Sequence, residues 1–214
     1  MRPVIIMCGG KYHDFKKHKA LTEINGEVLV ERTIRLLKEN GVTEWYISTN
    51  DPSFNKYDER GNILHHNNNF EVENGRVKGY WLDAYYPLDE PCIYLHGDVY
   101  YTDESIKKIL NLNPTKNTFI GNKYALNDLH IKVGEPFGWI IPNPKEFFNA
   151  IEKVKHLQDE GKIERGLAIS WELYEVLNGY NVNDFIIDKD TYLVLDNVFD
   201  IDAPWQIEQY KGVD

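Results

Sequence analysis

Residues 4–29 read VIIMCGGKYHDFKKHKALTEINGEVL and contain the signal that decides the fold. Residues 4–7 are apolar, Gly9-Gly10 follows, and a basic segment runs over residues 11–19. A helix-like apolar pattern then begins near Val28. This order predicts a buried strand, a glycine turn, a cationic loop and a helix. Glycines allow close backbone approach, and free N–H groups with lysines favour an anion, so phosphate binding is the first hypothesis.

The composition bounds the class of protein. The chain has 214 residues, 42% of them apolar and 27% charged, which is ordinary for a globular protein with a sizeable core. Its formal net charge of −10 argues against nucleic acid or an anionic membrane as the main partner. An anionic nucleotide would therefore require a local cationic patch or a bound metal.

Cysteine usage and hydropathy both favour the cytoplasm. Cys8 and Cys92 follow or lie within apolar runs and suggest neither a disulfide framework nor a zinc site, so a reducing compartment is expected. The start, Met1-Arg2-Pro3, lacks the apolar core of a signal peptide, and no later run approaches the ~18 apolar residues of a membrane span. We expect a cytoplasmic protein without a membrane partner.

Apolar runs alternate with helical patterns along the chain. The predicted strands are residues 4–7, 45–49, 92–95, 118–124, 132–133, 139–141, 184–187 and 192–195. The predicted helices are residues 28–40, 79–86, 105–112, 145–157 and 169–177, with a short one from Trp205. The βαβ order of the first half predicts a parallel sheet with helices on its faces. We predict one domain, with a nucleotide-binding half at residues 1–115 and an acceptor-binding half at residues 116–214.

Ligands in such sheets bind beyond the carboxyl ends of the strands. The predicted strands place Gly9, Gly10, Asn50 and Asp98 at that edge. The glycine loop is neither a Walker A loop, since no Gly-Lys-Ser/Thr follows, nor a G-x-G-x-x-G dinucleotide motif. A tight turn alone would also explain the two glycines, but the continuation through Lys19 favours a functional role.

Residues 7–31 resemble the opening of nucleotidyltransferases with a glycosyltransferase-A-type (GT-A-type) fold. That superfamily includes sugar-phosphate nucleotidylyltransferases, cytidylyltransferases and molybdenum-cofactor guanylyltransferases. The resemblance implies an α/β fold, a Rossmann-like three-layer α/β/α arrangement with a mixed sheet. Lys19 matches the lysine of the family's Pro-Lys element, with His18 where proline is usual. The loop lacks the family's second glycine and arginine, for which its other lysines could substitute.

A second matching element is residues 91–99, PCIYLHGDV. The predicted strand that ends in Gly97-Asp98 resembles the family's strand–Gly-Asp element, whose aspartate binds the catalytic Mg²⁺. Mg²⁺ prefers hard oxygen ligands and usually takes one or two carboxylates plus substrate phosphates. Gly97 would let the nucleotide approach the strand end. A turn aspartate that caps the next segment is the alternative interpretation.

A third matching element is residues 199–207, FDIDAPWQI. It resembles the family ending Asp-x-Asp-Thr-Pro-Glu-Asp-Leu, in which a carboxylate after the last strand completes the metal site. Asp202 is the better match to that carboxylate and Asp200 is the runner-up. The alternative role for Asp202 is a helix N-cap before Pro204, and the two roles are compatible.

A weaker match is residues 78–84, KGYWLDA, at the spacing of the family's base- and acceptor-contacting segment. Gly79 could admit the base, while Tyr80 and Trp81 either stack on it or pack in the core. Residues 134–139, GEPFGW, either line an acceptor pocket or form a packed hairpin.

Other conspicuous residues have simpler interpretations. Lys153, Lys155 and Arg165 could bind an acceptor phosphate, or they could lie on a solvated face. Trp171 is expected in the core, and the His65-His66 pair in a polar loop.

The resemblance implies Mg²⁺-dependent transfer of a nucleoside monophosphate from a nucleoside triphosphate, CTP or another, to a small phosphorylated acceptor such as a sugar phosphate. Pyrophosphate is released, and by family analogy the acceptor is a surface-polysaccharide precursor. The implied site residues are catalytic Lys19 and Asp98; nucleotide-binding Cys8, Gly9, Gly10, Lys11, Lys19, Gly79 and Gly97; and the Mg²⁺ ligands Asp98 and Asp202.

Two other functions stay open at this stage. A GT-A-type glycosyltransferase would use a nucleotide sugar and an Asp-x-Asp motif, a pattern found at residues 188–190 and 200–202. A non-catalytic nucleotide-binding relative is the third, favoured by the altered basic loop. Exposed aromatics among the 14 tyrosines could form the face of a homodimer.

Overall fold

A seven-stranded sheet organises the chain in this computed structural model, which describes residues 1–9, 15, 17–66, 70–73, 76–122, 125–126, 132–209 and 212. The strands in that part are β1 (Val4–Met7), β2 (Glu23–Ile24), β3 (Glu27–Val28), β4 (Trp45–Ser48), β5 (Ile63–Leu64), β6 (Glu71–Glu73), β7 (Arg76–Lys78), β8 (Cys92–His96), β9 (Val99–Tyr100), β10 (Thr118–Asn122), β11 (Ala125–Leu126), β12 (Lys132–Val133), β13 (Pro136–Ile141), β14 (Tyr192–Leu195) and β15 (Phe199–Asp200). The helices are α1 (Leu29–Glu39), α2 (Asp103–Asn111), α3 (Pro144–Asp159), α4 (Ser170–Leu177) and α5 (Gln206–Gln209). Short 3₁₀ helices span Lys19–Leu21, Pro52–Tyr57 and Trp81–Ala84.

The strand order of the main sheet is β14-β10-β13-β8-β1-β4-β5. Strand β13 runs antiparallel to β8 and β10, and the other neighbouring pairs are parallel. The sheet is therefore mixed, as predicted. Because β1 lies between the parallel strands β4 and β8, the carboxyl ends of all three meet at one edge.

The strand β1 shows why the sheet needs helices on both faces. Successive side chains of a strand point to opposite faces, so four apolar residues in a row must be covered on both. Val4 and Ile6 pack in the core that contains α1 and α2, whereas Ile5 and Met7 pack in the core that contains α3 and α4. The three-layer α/β/α arrangement follows from this pattern.

The turn before α1 forms as its sequence indicates. Strands β2 and β3 form a hairpin whose two central residues, Asn25 and Gly26, have φ values of 52° and 80°. Positive φ at both positions is typical of the type I′ turn that Asn-Gly favours. Helix α1 ends at Glu39, Asn40 caps it, and Gly41 follows with φ of 81°.

Two of the predicted elements are wrong. Residues 184–187 form no strand: Phe185 has φ of 49°, and the Ile186 N–H donates to Glu175 Oε1 at 2.8 Å instead of joining the sheet. Residues 79–86 contain only the 3₁₀ turn Trp81–Ala84, because Gly79 at φ of 72° and Pro87 bound the segment.

The second half of the chain packs around aromatic residues between the sheet and α3 and α4. Trp139 and Trp171 are 0% and 3% exposed. The indole N–H of Trp139 donates to Tyr85 Oη at 3.0 Å, and that of Trp171 donates to the Gly134 carbonyl at 3.0 Å. The predicted core position of Trp171 is confirmed. No helix in the described part of the chain is both long and apolar enough to cross a membrane.

Candidate active site

The carboxyl edge of β8 brings together the two acidic segments of the sequence. Strand β9, just after Asp98, pairs antiparallel with β15, so that Val99 lies opposite Asp200. The Ile201 N–H also donates to the Asp98 carbonyl at 3.2 Å. This pairing joins residues about a hundred positions apart and places the Asp200-Ile201-Asp202 segment beside Asp98.

Lys19 lies between the two predicted metal ligands. Its Nζ donates to Asp202 Oδ1 at 2.8 Å and lies 3.5 Å from Asp98 Oδ2. Although partial burial lowers it, the charges of Asp98 and Asp202 raise the pKa of Lys19 above its ordinary value, so the amine stays protonated. The structure thus brings together the three residues that the sequence predicted to share a site.

His18 fixes the backbone from which Lys19 extends. Its Nδ1 accepts the Ala20 N–H at 3.2 Å, which leaves the proton on Nε2 to donate to the Cys8 carbonyl at 3.1 Å. The ring also packs edge-on against Phe54, with centroids 4.7 Å apart. Burial lowers the pKa of His18 to about 4, which keeps the ring neutral. The imidazole therefore orders the turn at the position where the resembling family has proline, a role that the sequence alone did not reveal.

A third carboxylate, Glu135, joins Asp200 and Asp202. One ligand oxygen from each of the three lies within 4.8 Å of the others. The Glu135 backbone is held by its N–H, which donates to Asn122 Oδ1 at 2.8 Å. The sequence had indicated residues 134–139 only as an acceptor-pocket turn, and no local signal distinguished Glu135 as a partner of residues 65 positions away.

Mutual repulsion is strong within this group. Burial, and after it the charges of Asp98 and Asp202, raise the pKa of Asp200 well above the usual range of a carboxyl. Desolvation and the same two aspartates raise the pKa of Glu135. We call Asp98, Glu135, Asp200 and Asp202 the edge cluster. Its hard oxygen donors are of the kind that Mg²⁺ takes, and a divalent cation would relieve their repulsion.

Packing explains the glycines at the carboxyl edge. A Cβ at Gly97 would overlap Cys8 Sγ and lie 2.8 Å from the Met7 carbonyl oxygen, so glycine is required for β8 to approach β1. A Cβ at Gly9 would lie 2.7 Å from His66 Nε2. The Cys8 side chain is 2% exposed and packs in the core, and its N–H donates to the Ser48 carbonyl at 2.8 Å.

The remaining predicted positions have varied surroundings. Gly10, Lys11 and Lys16 lie outside the described residues. The carbonyl of Gly79 accepts from Gln158 Nε2 at 3.2 Å at the end of α3. The half-buried Trp81 packs against His96, with ring centroids 5.9 Å apart.

Of the three cations considered for an acceptor phosphate, Lys153 is exposed on α3, whereas Lys155 and Arg165 are engaged in ion pairs. Lys155 Nζ pairs with Asp83 and lies 2.8 Å from Glu152 Oε1. Arg165 Nε lies 3.0 Å from Glu172 Oε1. Both therefore have structural partners in this fold.

Two solved structures share the fold over their whole lengths. The CTP:phosphocholine cytidylyltransferase of Streptococcus pneumoniae matches with a TM-score of 0.57 at 14% identity, over 100% of this chain and 99% of that one. The inositol-1-phosphate CTP transferase of T. maritima matches with a TM-score of 0.55 at 17% identity, over 100% of this chain and 98% of that one. At such identities the likeness establishes the fold alone, and it confirms the predicted α/β class. No curated protein sequence matches the chain.

The sequence itself matches a family model. The model of the MobA-like NTP transferase domain covers residues 4–164, which include β1, the Lys19 turn, Asp98 and Glu135. The match extends over more than half of the chain and agrees with the predicted nucleotidyltransferase resemblance. The chain belongs to the MobA-like NTP transferase domain family and is a nucleotidyltransferase.

Proposed function

We propose that this enzyme transfers a nucleoside monophosphate from a nucleoside triphosphate to a small phosphorylated acceptor in a Mg²⁺-dependent reaction that releases pyrophosphate. The observation that carries the proposal is the position of Lys19 between Asp98 and Asp202 at the carboxyl edge of the sheet. Two enzymes of the same fold are named for phosphorylated acceptors, phosphocholine and inositol 1-phosphate.

The chemistry requires positioning and charge stabilisation more than proton transfer. An oxygen of the acceptor phosphate attacks the α-phosphorus in line, and the bond from that phosphorus to the pyrophosphate oxygen breaks. The acceptor phosphate is already ionised near neutral pH, so no general base is needed, and no covalent enzyme intermediate is required. Lys19, held protonated by its two aspartates, would stabilise the negative charge on the α-phosphoryl oxygens.

The edge cluster gives the proposed Mg²⁺ dependence its physical reason. Four carboxylates beside one lysine repel a triphosphate unless a cation lies between them. Asp98, Asp200, Asp202 and Glu135 are the residues that would hold it. When bound, Mg²⁺ would neutralise phosphate charge and orient the pyrophosphate leaving group.

Gln206 orients the acidic segment that leads into α5. Its side-chain Oε1 accepts the N–H groups of Asp202 and Ala203 at 2.6 and 2.7 Å. The Asp202 carboxylate is therefore directed to Lys19, while a different side chain caps the turn. This arrangement favours the metal-site interpretation of Asp202 over the N-cap interpretation.

The finer aspects of the proposal concern substrate and location. CTP is the leading nucleotide, because the two fold relatives are named for CTP. A sugar or polyol phosphate of the kind used for surface polysaccharides is the leading acceptor. The thiols of Cys8 and Cys92 are free and buried, which agrees with a reducing cytoplasmic location.

The test is pyrophosphate release from CTP, UTP, GTP, ATP and dTTP with Mg²⁺, each against phosphocholine, inositol 1-phosphate, glucose 1-phosphate and glycerol 3-phosphate. We expect one nucleotide and one class of acceptor to support turnover. Asp202→Asn and Lys19→Met should each lower kcat/KM by about 100-fold or more. EDTA should abolish the reaction, and Mg²⁺ should restore it.

Matched controls separate the site from general charge effects. Asp196→Asn changes an exposed aspartate of the same segment, and Lys145→Met changes an exposed lysine at the opposite edge of the sheet. Both should retain wild-type rates. Consumption of a nucleotide sugar without pyrophosphate release would favour the glycosyltransferase alternative. If the protein binds a nucleotide but no combination of nucleotide and acceptor reacts, the non-catalytic alternative is favoured.

A further inference from the structure

His96 carries a buried nitrogen that has no hydrogen-bond partner among the residues that the structure describes. It is the last residue of β8, two positions before Asp98, and it is 8% exposed. The unpartnered atom is Nε2. A buried polar atom without a partner costs stability, so its retention beside the proposed catalytic edge calls for a ligand.

The unpartnered Nε2 limits the kind of group that can complete the site. The Pro136 backbone lies beside the ring. A neutral imidazole carries its proton on one ring nitrogen, so Nε2 either donates or accepts a hydrogen bond. A hydroxyl group can act in either way and is therefore a suitable partner for Nε2.

The surroundings of His96 connect it to the edge cluster. Pro136, whose backbone lies beside the ring, directly follows Glu135, whose carboxylate lies with those of Asp200 and Asp202. The His96 ring also packs against the half-buried Trp81, with centroids 5.9 Å apart. Both neighbours of the edge cluster in the chain, Pro136 and the end of β8, thus place His96 and Trp81 beside the proposed phosphate site.

The faces of the sheet indicate which substrate this is. Cys92 and Tyr94 alternate with His96 along β8 and pack in the core that contains α3 and α4. Ala20 and Leu21, which follow Lys19, pack instead in the core that contains α1. His96 is thus on the face of the sheet where α3 and α4 of the acceptor-binding half pack, opposite the face on which Ala20 and Leu21 pack.

We propose that His96 Nε2 forms a hydrogen bond with a hydroxyl group of the phosphorylated acceptor, while Trp81 packs against the carbon skeleton of that acceptor. The substrate class is then a phosphorylated sugar or polyol, and a phosphorylated quaternary amine, whose head group offers neither a donor nor an acceptor, is disfavoured. A hydroxyl also suits the buried ring better than an ammonium group, whose desolvation costs more. This inference rests on the proposed nucleotidyl transfer.

The experiment compares His96→Met, which removes the hydrogen-bonding ring nitrogen, with His96→Gln, which retains an amide group at similar reach. We expect His96→Met to raise KM for inositol 1-phosphate or glucose 1-phosphate by about 10-fold to 100-fold, with little change in KM for the nucleotide. His96→Gln should recover most of the loss. The wild type should use phosphocholine poorly, and His96→Met should not weaken that use further. His156→Met, at an exposed histidine of α3, is the matched control.

Calorimetry measures the binding of phosphocholine, inositol 1-phosphate, glucose 1-phosphate and glycerol 3-phosphate in the presence of Mg²⁺ and separates the two proposals. Thermal unfolding of each variant is the folding control. Turnover with unchanged acceptor KM in His96→Met, or a rise in nucleotide KM alone, overturns the His96 assignment and leaves nucleotidyl transfer intact. Efficient use of phosphocholine by the wild type also overturns it. If no combination of nucleotide and acceptor releases pyrophosphate, the proposed nucleotidyl transfer is wrong. In that case weaker binding of hydroxyl-bearing acceptors by His96→Met still supports the contact, and equal binding overturns it.

Discussion

Two groups of carboxylates in this molecule have opposite consequences. The first is the edge cluster, Asp98, Glu135, Asp200 and Asp202. The second is the pair Glu172 and Glu175 on α4, which we call the helix pair. Burial, followed by the charges of neighbouring aspartates, raises the carboxyl pKa values in the edge cluster, and burial is also the main cause in the helix pair. What differs is the kind of group that compensates them.

Fixed groups of the fold hold three of the four carboxyl oxygens of the helix pair, and Glu175 Oε2 is buried without a hydrogen-bond partner among the described residues. Glu172 is 1% exposed, accepts the Ile169 N–H at 2.8 Å and lies 3.0 Å from Arg165 Nε. Glu175 is also 1% exposed, and its Oε1 accepts the Ile186 N–H at 2.8 Å. These bonds tie α4 to the two loops that flank it, so the helix pair is structural.

The edge cluster is compensated by a side chain and lies open to solvent. Asp202 is 61% exposed on its side chain, whereas its partner Lys19 is 16% exposed. A lysine amine that bridges two aspartates can exchange them for phosphate oxygens, and the carboxylates can then take a cation. Carboxylates that are held by backbone N–H groups therefore stabilise the fold of this protein. Carboxylates that are paired with an exchangeable lysine side chain are available for chemistry.

The largest effect on activity is expected from a substitution of Asp200 in the edge cluster. Asp200→Asn should lower kcat/KM by about 100-fold because it removes one charge of the proposed metal site. The fold should not be destabilised without Mg²⁺, since Asn keeps the acceptor for the Ile201 N–H and relieves repulsion from Asp98 and Asp202. Steady-state kinetics and urea unfolding, each with and without Mg²⁺, measure both effects against Asp196→Asn. Full activity of Asp200→Asn would exclude Asp200 from the site.

The next effect concerns Glu175, whose pKa burial raises to about 7. Between about pH 4.5 and 7 the unfolded chain ionises this carboxyl while the folded chain keeps it protonated, so wild-type stability falls as pH rises. At 1.36 kcal/mol per pKa unit the loss is about 3 kcal/mol. Glu175→Gln should lack this loss, and its advantage over the wild type should be greater at pH 8 than at pH 5.

Urea unfolding at both pH values checks the prediction for Glu175. Glu164→Gln, an exposed glutamate before α4, should show the wild-type dependence on pH. Parallel stability curves for the wild type and Glu175→Gln would show that Glu175 ionises normally in the folded protein. Activity should be the same in all three proteins, in contrast to the loss of activity expected from substitutions in the edge cluster.

The smallest effect tests whether Arg165 is structural. Arg165→Met leaves Glu172 buried without its ion-pair partner and should lower the free energy of unfolding by about 2 kcal/mol, less than for a fully buried pair because Arg165 is 38% exposed. Adding Glu172→Gln should restore part of that loss. Lys107→Met, which breaks an exposed pair with Asp103, should change stability much less. If Arg165→Met lost activity without losing stability, the result would instead indicate that Arg165 binds the acceptor phosphate.

Much of the fold was readable from local sequence. The strand β1, the Asn-Gly hairpin and helix α1 are specified by neighbouring residues, through apolar periodicity and turn chemistry. The strand at residues 184–187 was predicted by the same local reasoning and was wrong. A buried carboxylate on α4 binds that backbone, and such a competitor is invisible in a short window.

The site shows the same division. The three-layer α/β fold, the buried strand β8 just before Asp98 and the acidic segment at residues 200–202 could be predicted from the sequence, because each depends on residues close in the chain. The roles of Glu135 in the edge cluster, of His18 in orienting Lys19 and of the unpartnered His96 Nε2 became evident in the folded structure alone. These relations depend on strand pairing and packing between distant segments, and a side chain's partners across a sheet leave no periodic trace in the sequence.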